Sequence, residues 1–221
     1  MKKLLVFITL FFILCSLAFS QTESGISIGY SHAFFFDSYA DNGTIKSYIE
    51  SPGIAFHSFS FWDKKTVGLF AHAFLIGFPE SVTIEKNGIE KKTDFDWGGQ
   101  TGLVIGPAFR HYFNEKLILQ YGAGFNFYMT AAEYSEYIPA LAKTVLFERG
   151  DYTFGIGGDI SLRFKITKYL ILNIGSVFTF NFANYIEIYS TAPSLETQGW
   201  AKDYFQFSVR PYISIGANLY W

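Results

Sequence analysis

Beyond an apolar N-terminal stretch, apolar and polar positions alternate with period two along most of the chain, and no sustained helical spacing competes with them. Eight runs rich in Phe, Tyr, Ile and Gly carry the pattern, at 24–36, 51–62, 66–78, 97–113, 117–130, 151–166, 168–184 and 204–221. In the sixth, Tyr152, Phe154, Ile156, Ile160, Leu162 and Phe164 fall on one face, and Thr153, Gly155, Gly157, Asp159, Ser161, Arg163 and Lys165 on the other. The seventh sets Leu170, Leu172, Ile174, Phe178, Phe180 and Phe182 against Asn173, Gly175, Thr179 and Asn181. Similar divisions hold in the fifth run, with Leu119 to Phe127 against Gln120 to Asn126, and in the eighth, with Phe207 to Trp221 against Gln206 to Asn218. One face is bulky and apolar; the other is small and polar.

Two features resist this reading. The apolar phase slips between Phe56 and Phe59, which predicts a bulge near His57, and both faces of Val67 to Phe78 are apolar. Pro107 and Pro211 lie inside runs, where each removes a ladder donor, so both are expected at bulges or strained positions.

The connections form a second pattern. Asp63-Lys64-Lys65, Asn114-Glu115-Lys116 and the region of Thr167 make tight turns, whereas 37–50, 79–96, 131–150 and 185–203 are long. Short and long links in strict alternation are what an antiparallel up-and-down transmembrane β-barrel has, with turns and both chain ends on one side of the membrane.

Composition decides which way the faces point. Aromatic residues make up 20% of the chain and charged ones only 16%, against about 25% charged in an ordinary soluble domain. The Gly, Ser, Thr and Asn face has too few ions for a wet exterior. It suits the crowded lumen of an eight-stranded barrel, which leaves the bulky face to lipid. Aromatics gather at both ends of the runs as interfacial girdles do: Trp62, Phe113, Phe164 and Trp221 by the turns, and Phe36, Trp97, Tyr152 and Phe205 by the loops. A net charge of −2 leaves no footprint for nucleic acid.

Met1, Lys2 and Lys3 followed by apolar Leu4 to Leu14 read as a signal peptide over 1–20, cleaved so that the barrel is 21–221. Cys15, the sole cysteine, lacks the small preceding residue of a lipidation site, since Leu14 stands there. Cleavage after Ser20 would leave no thiol chemistry, and no cofactor or metal is expected.

The last residues, Ser214-Ile215-Gly216-Ala217-Asn218-Leu219-Tyr220-Trp221, resemble the C-terminal insertion signal of bacterial outer-membrane barrels, with Ser214, Gly216, Leu219 and Trp221 at its key positions. With the export segment and the eight runs, the whole chain resembles small eight-stranded barrels of the OmpX and OmpW type. That resemblance implies outer-membrane location, outer-membrane lipids as surroundings, and the barrel assembly machinery and periplasmic chaperones as partners.

For chemistry, the inward positions carry Arg110, Asp159, Arg163, Lys165 and Arg210. A narrow lumen requires its charges paired, so Asp159 is expected to bond Arg163 or a neighbouring arginine. The excess of cations would favour anions if the barrel conducts. His32, His57, His72 and His111 show no metal spacing, and the neighbours Ser31-His32 and His57-Ser58 are the best that can be offered for a lipid-modifying enzyme. The third long loop, with Tyr134, Tyr137, Ile138, Leu141 and Phe147, is more apolar than a wet loop needs and is expected to form a short amphipathic helix and a surface-binding site. The leading expectation is therefore a non-enzymatic structural or surface-binding protein that meets a host component or a small apolar ligand at its loops. A narrow channel for small or hydrophobic solutes is the second reading, and a membrane enzyme the third.

Overall fold

The computed structural model describes residues 21–29, 34–36, 38–40, 43–61, 66–202 and 204–220, with backbone alone before residue 44 and at 45–53, 74–79 and 218–220. The expected export segment 1–20 with Cys15, the pair Ser31-His32, Trp62, the expected turn Asp63-Lys64-Lys65 and Trp221 lie outside the described residues, as do the side chains of Phe36 and Leu219.

All eight runs form strands, and most extend beyond their predicted ends. They are β1 (Gln21–Gly29), β2 (Gly43–Phe61), β3 (Val67–Lys86), β4 (Trp97–Tyr112), β5 (Leu117–Ile138), β6 (Lys143–Lys165), β7 (Leu170–Ser190) and β8 (Gln206–Tyr220). Each is antiparallel to the next in sequence, and β8 also pairs with β1, so the ladders form a ring. The β1–β8 seam is the shortest ladder, with partners from Gln21–Tyr220 to Ile26–Ile215. Strand pairing satisfies backbone N–H and C=O groups between neighbours, as a hydrocarbon surrounding requires.

Side-chain burial confirms the predicted polarity. Ile156 is 58% exposed and Ile174 48%, while Asp159, Arg163 and Asn173 are each 2% exposed. Large apolar side chains face outward and small polar ones inward along β5 to β8. Phe113, Phe164, Trp97 and Phe205 of the predicted girdles are exposed. Two tight turns are held by their own side chains. The Asn114 carboxamide oxygen accepts from the Lys116 and Leu117 N–H groups, and the Thr167 hydroxyl from those of Tyr169 and Leu170.

Several local expectations are corrected. The first run is not one strand: β1 ends at Gly29, and Phe34–Phe36 pairs separately with β8. β2 pairs in constant register with β1 from Gly53 to Phe61, but its ladder with β3 shifts at Ile54–Ala55, two to three residues from His57 and opposite Phe74–Ile76, and shifts again at Ser51–Ile54, Ile49–Glu50 and Ile45–Ser47. The apolar phase slips because Phe59 and Phe61 point inward and stack with each other, and Phe59 with Phe70, closing the turn end of the lumen with rings. Gly122 gives Phe70 its room, since a Cβ there would lie 2.4 Å from the ring.

Neither proline sits at a bulge. The β3–β4 ladder passes Leu69–Pro107 and the β7–β8 ladder passes Ser176–Pro211 without a shift of register. Beside Pro107, the β4–β5 ladder drops two pairs between Ile105–Phe125 and Ala108–Gly122 and then resumes in the same register. At this gap Gly106 and Gly124 let the backbones approach closely: a Cβ on Gly124 would fall 2.0 Å from the Ile105 carbonyl oxygen. Gly124→Ala is therefore expected to cost about 1–3 kcal/mol in equilibrium unfolding by urea, as overpacking does, whereas Ala123→Gly on the opposite face costs less.

The long connections are mostly strand. β3 runs on to a tight turn at Asn87 and Gly88, whose φ values of 54° and 75° suit a two-residue hairpin, and Ile89–Asp94 returns antiparallel beside it. The predicted amphipathic helix in the third loop is absent. β5 and β6 instead stay paired to Ile138–Lys143, with a single 3-10 turn at Pro139–Leu141. Alternation persists there, with Val145 and Phe147 buried and Leu146 exposed, and that period favours strand over helix.

Candidate functional site

The lumen is filled at three levels. At the turn end, the Arg110 guanidinium lies 4.2 Å from the centre of the Phe61 ring and 5.2 Å from that of Tyr112. In the middle, the Asp159 carboxylate accepts from His72 Nδ1–H at 2.8 Å and from the Tyr212 hydroxyl at 2.7 Å. His57 stacks on His72 with ring centres 5.9 Å apart, and its Nε2 accepts from Asn173 Nδ2 at 3.1 Å. Toward the loops, Asn126 donates to Asn181, which donates to Gln206, which also accepts from the Tyr204 hydroxyl. Arg210 sits over the Tyr128 ring at 4.9 Å. The cavity among these outer polar groups measures about 30 Å³, room for about one water.

Asp159 thus meets two partners that charge counting does not suggest, His72 and Tyr212. All three are fully or almost fully buried, and both carboxylate oxygens are occupied at hydrogen-bond length. Arg110 and Arg210 also lie against aromatic faces. Arg163 is 2% exposed, and Lys165 is half-buried at the strand end. Among the described residues no group of His, Cys, Asp or Glu is arranged to hold a metal. His57 points into the lumen, while its neighbour Ser58 follows the pleat to the other face, so the two do not form a catalytic pair. His111 stacks edge-on with exposed Phe113 at the turn end.

At the opposite end, the extended hairpins enclose a larger space of about 470 Å³. One wall is the small apolar cluster of Val82, Ile84 and Phe95; the other carries Tyr134 and Ile188, which belong to a second cluster around Val145, Phe147 and Ala192. Phe95 and Tyr134 meet at the base with ring centres 6.3 Å apart, and Tyr134 stacks on Phe147 at 5.2 Å. Burial holds the Tyr134 phenol above its usual range despite the opposing pull of Arg149, so it presents a neutral hydroxyl. Arg149 is gripped by both oxygens of Asp151 beneath it.

The predicted surface set is divided by this geometry. Tyr134 lines the pocket, Ile138 and Phe147 support its wall, and Tyr137 and Leu141 are exposed elsewhere on the hairpin. Sequence reasoning missed the contributions of the second and fourth loops. The available signals were Asn87-Gly88, a hairpin turn, and the alternation of Val82 and Ile84 across Thr83.

An eight-stranded antiparallel ring with an apolar outside, a filled polar inside and long hairpins at one end defines the class: a small β-barrel of the outer-membrane type. Among solved structures, the chain is similar to the outer membrane protein OprG from Pseudomonas aeruginosa. The match has 10% identity over 91% of this chain and 95% of that one, with a TM-score of 0.52. It is also similar to a major outer membrane protein from Thermus thermophilus, at 10% identity over 89% of this chain and 99% of that one, with a TM-score of 0.50. No protein-family model matches the chain, and no curated protein matches it significantly. At these identities the likeness shows the fold.

Proposed function

We propose that this chain is a non-enzymatic outer-membrane protein whose barrel is a filled scaffold and whose outer hairpins bind a small, largely apolar ligand. The observation that carries this reading is the contrast along one lumen: among the polar groups toward the loops a cavity of about 30 Å³ remains, while beyond it the hairpins line a space of about 470 Å³. The latter lies within the range of roughly 300–1,000 Å³ typical of small-molecule sites. A rigid scaffold that presents a preformed pocket loses little freedom on binding. Export through residues 1–20, and insertion by the assembly machinery reading Ser214, Gly216, Leu219 and Trp221, belong to the same proposal.

The channel reading draws on the inward cations, but two of the arginines are laid against rings at either end of the polar section. In planar bilayers the refolded barrel is therefore expected to give no discrete conductance steps. Removing the plug with Phe59→Ala and Phe61→Ala is expected to introduce them or to raise leak. Well-resolved, anion-selective steps from the unaltered barrel would overturn the filled-scaffold reading.

A further inference from the structure

The charges around the hairpin pocket select its ligand further, on the reading that the hairpins are the binding part. Three cations line it, Lys86, Lys91 and Arg149, against one carboxylate, Glu136. Lys91 is bonded to Glu136 at 2.5 Å, and Arg149 is held by Asp151 at 2.7 Å. Lys86 has no ion pair among the described residues and stands exposed beside the Asn87-Gly88 turn. Below it the walls are Val82, Ile84 and Phe95 on one side and Tyr134 and Ile188 on the other. An apolar slot capped by an uncompensated ammonium complements a molecule that is apolar along its length and negative at one end.

We infer that the pocket takes a free single-chain amphiphile with an anionic head, the head at Lys86 and the tail between the Val82–Ile84–Phe95 and Tyr134–Ile188 walls. A cationic head meets Lys86 unfavourably. A neutral one gains only the apolar contacts. Arg149 and Lys91, already paired, hold the pocket's shape and the orientation of Tyr134 and Glu136.

The test uses the full barrel in phospholipid nanodiscs with labelled isoleucine methyl groups, titrated with decanoate, decanol or decyltrimethylammonium. Saturable shifts at Ile84 and Ile188 are expected with decanoate, with affinity about tenfold weaker for decanol, as loss of one charge-assisted contact implies. Lys86→Gln should weaken decanoate by about the same factor and leave decanol unchanged. Ile188→Trp, which fills the slot, should abolish the Ile84 shift with both. Equal binding of all three amphiphiles, or decanoate binding indifferent to Lys86→Gln, would overturn the anionic class and leave the binding pocket standing. Nanodisc lipid already filling the slot, so that added decanoate causes no change while Ile188→Trp displaces lipid signals, would likewise overturn a free amphiphile. No saturable shift with any compound and no resident lipid would overturn the hairpin-binding reading itself.

Discussion

Ile160→Arg lowers the unfolding free energy by about 2–4 kcal/mol in phospholipid vesicles, the cost of an arginine near the middle of a lipid-facing barrel wall. Ile160 is 43% exposed and lies midway between outward Phe164 and Ile156 on β6, with Tyr121 and Ser176 as its neighbours across the ladders. Exposure there means contact with acyl chains, so the arginine must drag its charge to an interface or thin the bilayer. The control is Ile89→Arg. Ile89 is more exposed, at 72%, but stands on an outer hairpin where water solvates the new charge, and the change stays within about 0.5 kcal/mol. Urea unfolding followed by tryptophan fluorescence, with linear extrapolation, measures both. Equal and negligible effects at the two sites would mean that β6 turns this face to water, and the assignment of inside and outside would fall.

Asp159→Ala is expected to cost roughly 2–6 kcal/mol, because it strips the shared acceptor from two buried donors at about 1–3 kcal/mol each. His72 is 0% exposed and Tyr212 8%, and their hydrogen bonds to the carboxylate measure 2.8 and 2.7 Å. Asp159→Asn keeps one acceptor oxygen and the shape of the group, so it loses about half as much. The identity of the partner is read from double-mutant cycles. Asp159 with His72 should couple by about 0.5–3 kcal/mol, and more strongly than Asp159 with Arg163. The reverse order would make an arginine the dominant partner, as charge counting suggests.

Both experiments probe features that are unequally legible in the chain. The outward set of β5 to β8 can be read residue by residue, because a pleated strand alternates its side chains regardless of what surrounds it. Ile156, Leu162, Ile174 and Ile213 all face outward as the period requires. The same rule fails for β2 and β3. There the phase slip at Phe56–Phe59 suggests a bulge at those residues, whereas both ladders are regular from Ala55 to Phe61, the nearest register shift lies at Ile54–Ala55, and the rings turn inward. Period cannot separate those cases, since it reports a change of face without saying whether backbone or side-chain preference changed. The answer lies across the lumen, where glycine at 122 leaves a space that Phe70 occupies.

The hairpin pocket is legible in part for a similar reason. Tyr134 and Phe147 stand out as too apolar for a wet loop, and they do form one wall of the pocket and its support. Their counterparts Val82, Ile84 and Phe95 belong to a different hairpin much earlier in the chain, and nothing local announces that the two hairpins face each other. His72 and Asp159 likewise give no sign of a relation, since they lie 87 residues apart on strands that are not neighbours. The histidines carry no spacing signal because the lumen joins residues through space, across a ring whose curvature no single strand records.

Read alone, the chain is enough to set the strand count, the up-and-down order, and the outward sense of the bulky face over most of the barrel. All three follow from local alternation, turn chemistry and the scarcity of charge. The partner of each inward polar group, the turn-end ring plug and the hairpin pocket emerge only when the ring closes. Those depend on which side chains meet across the interior, where competition among several buried donors for few acceptors, and not the period of any strand, sets the outcome.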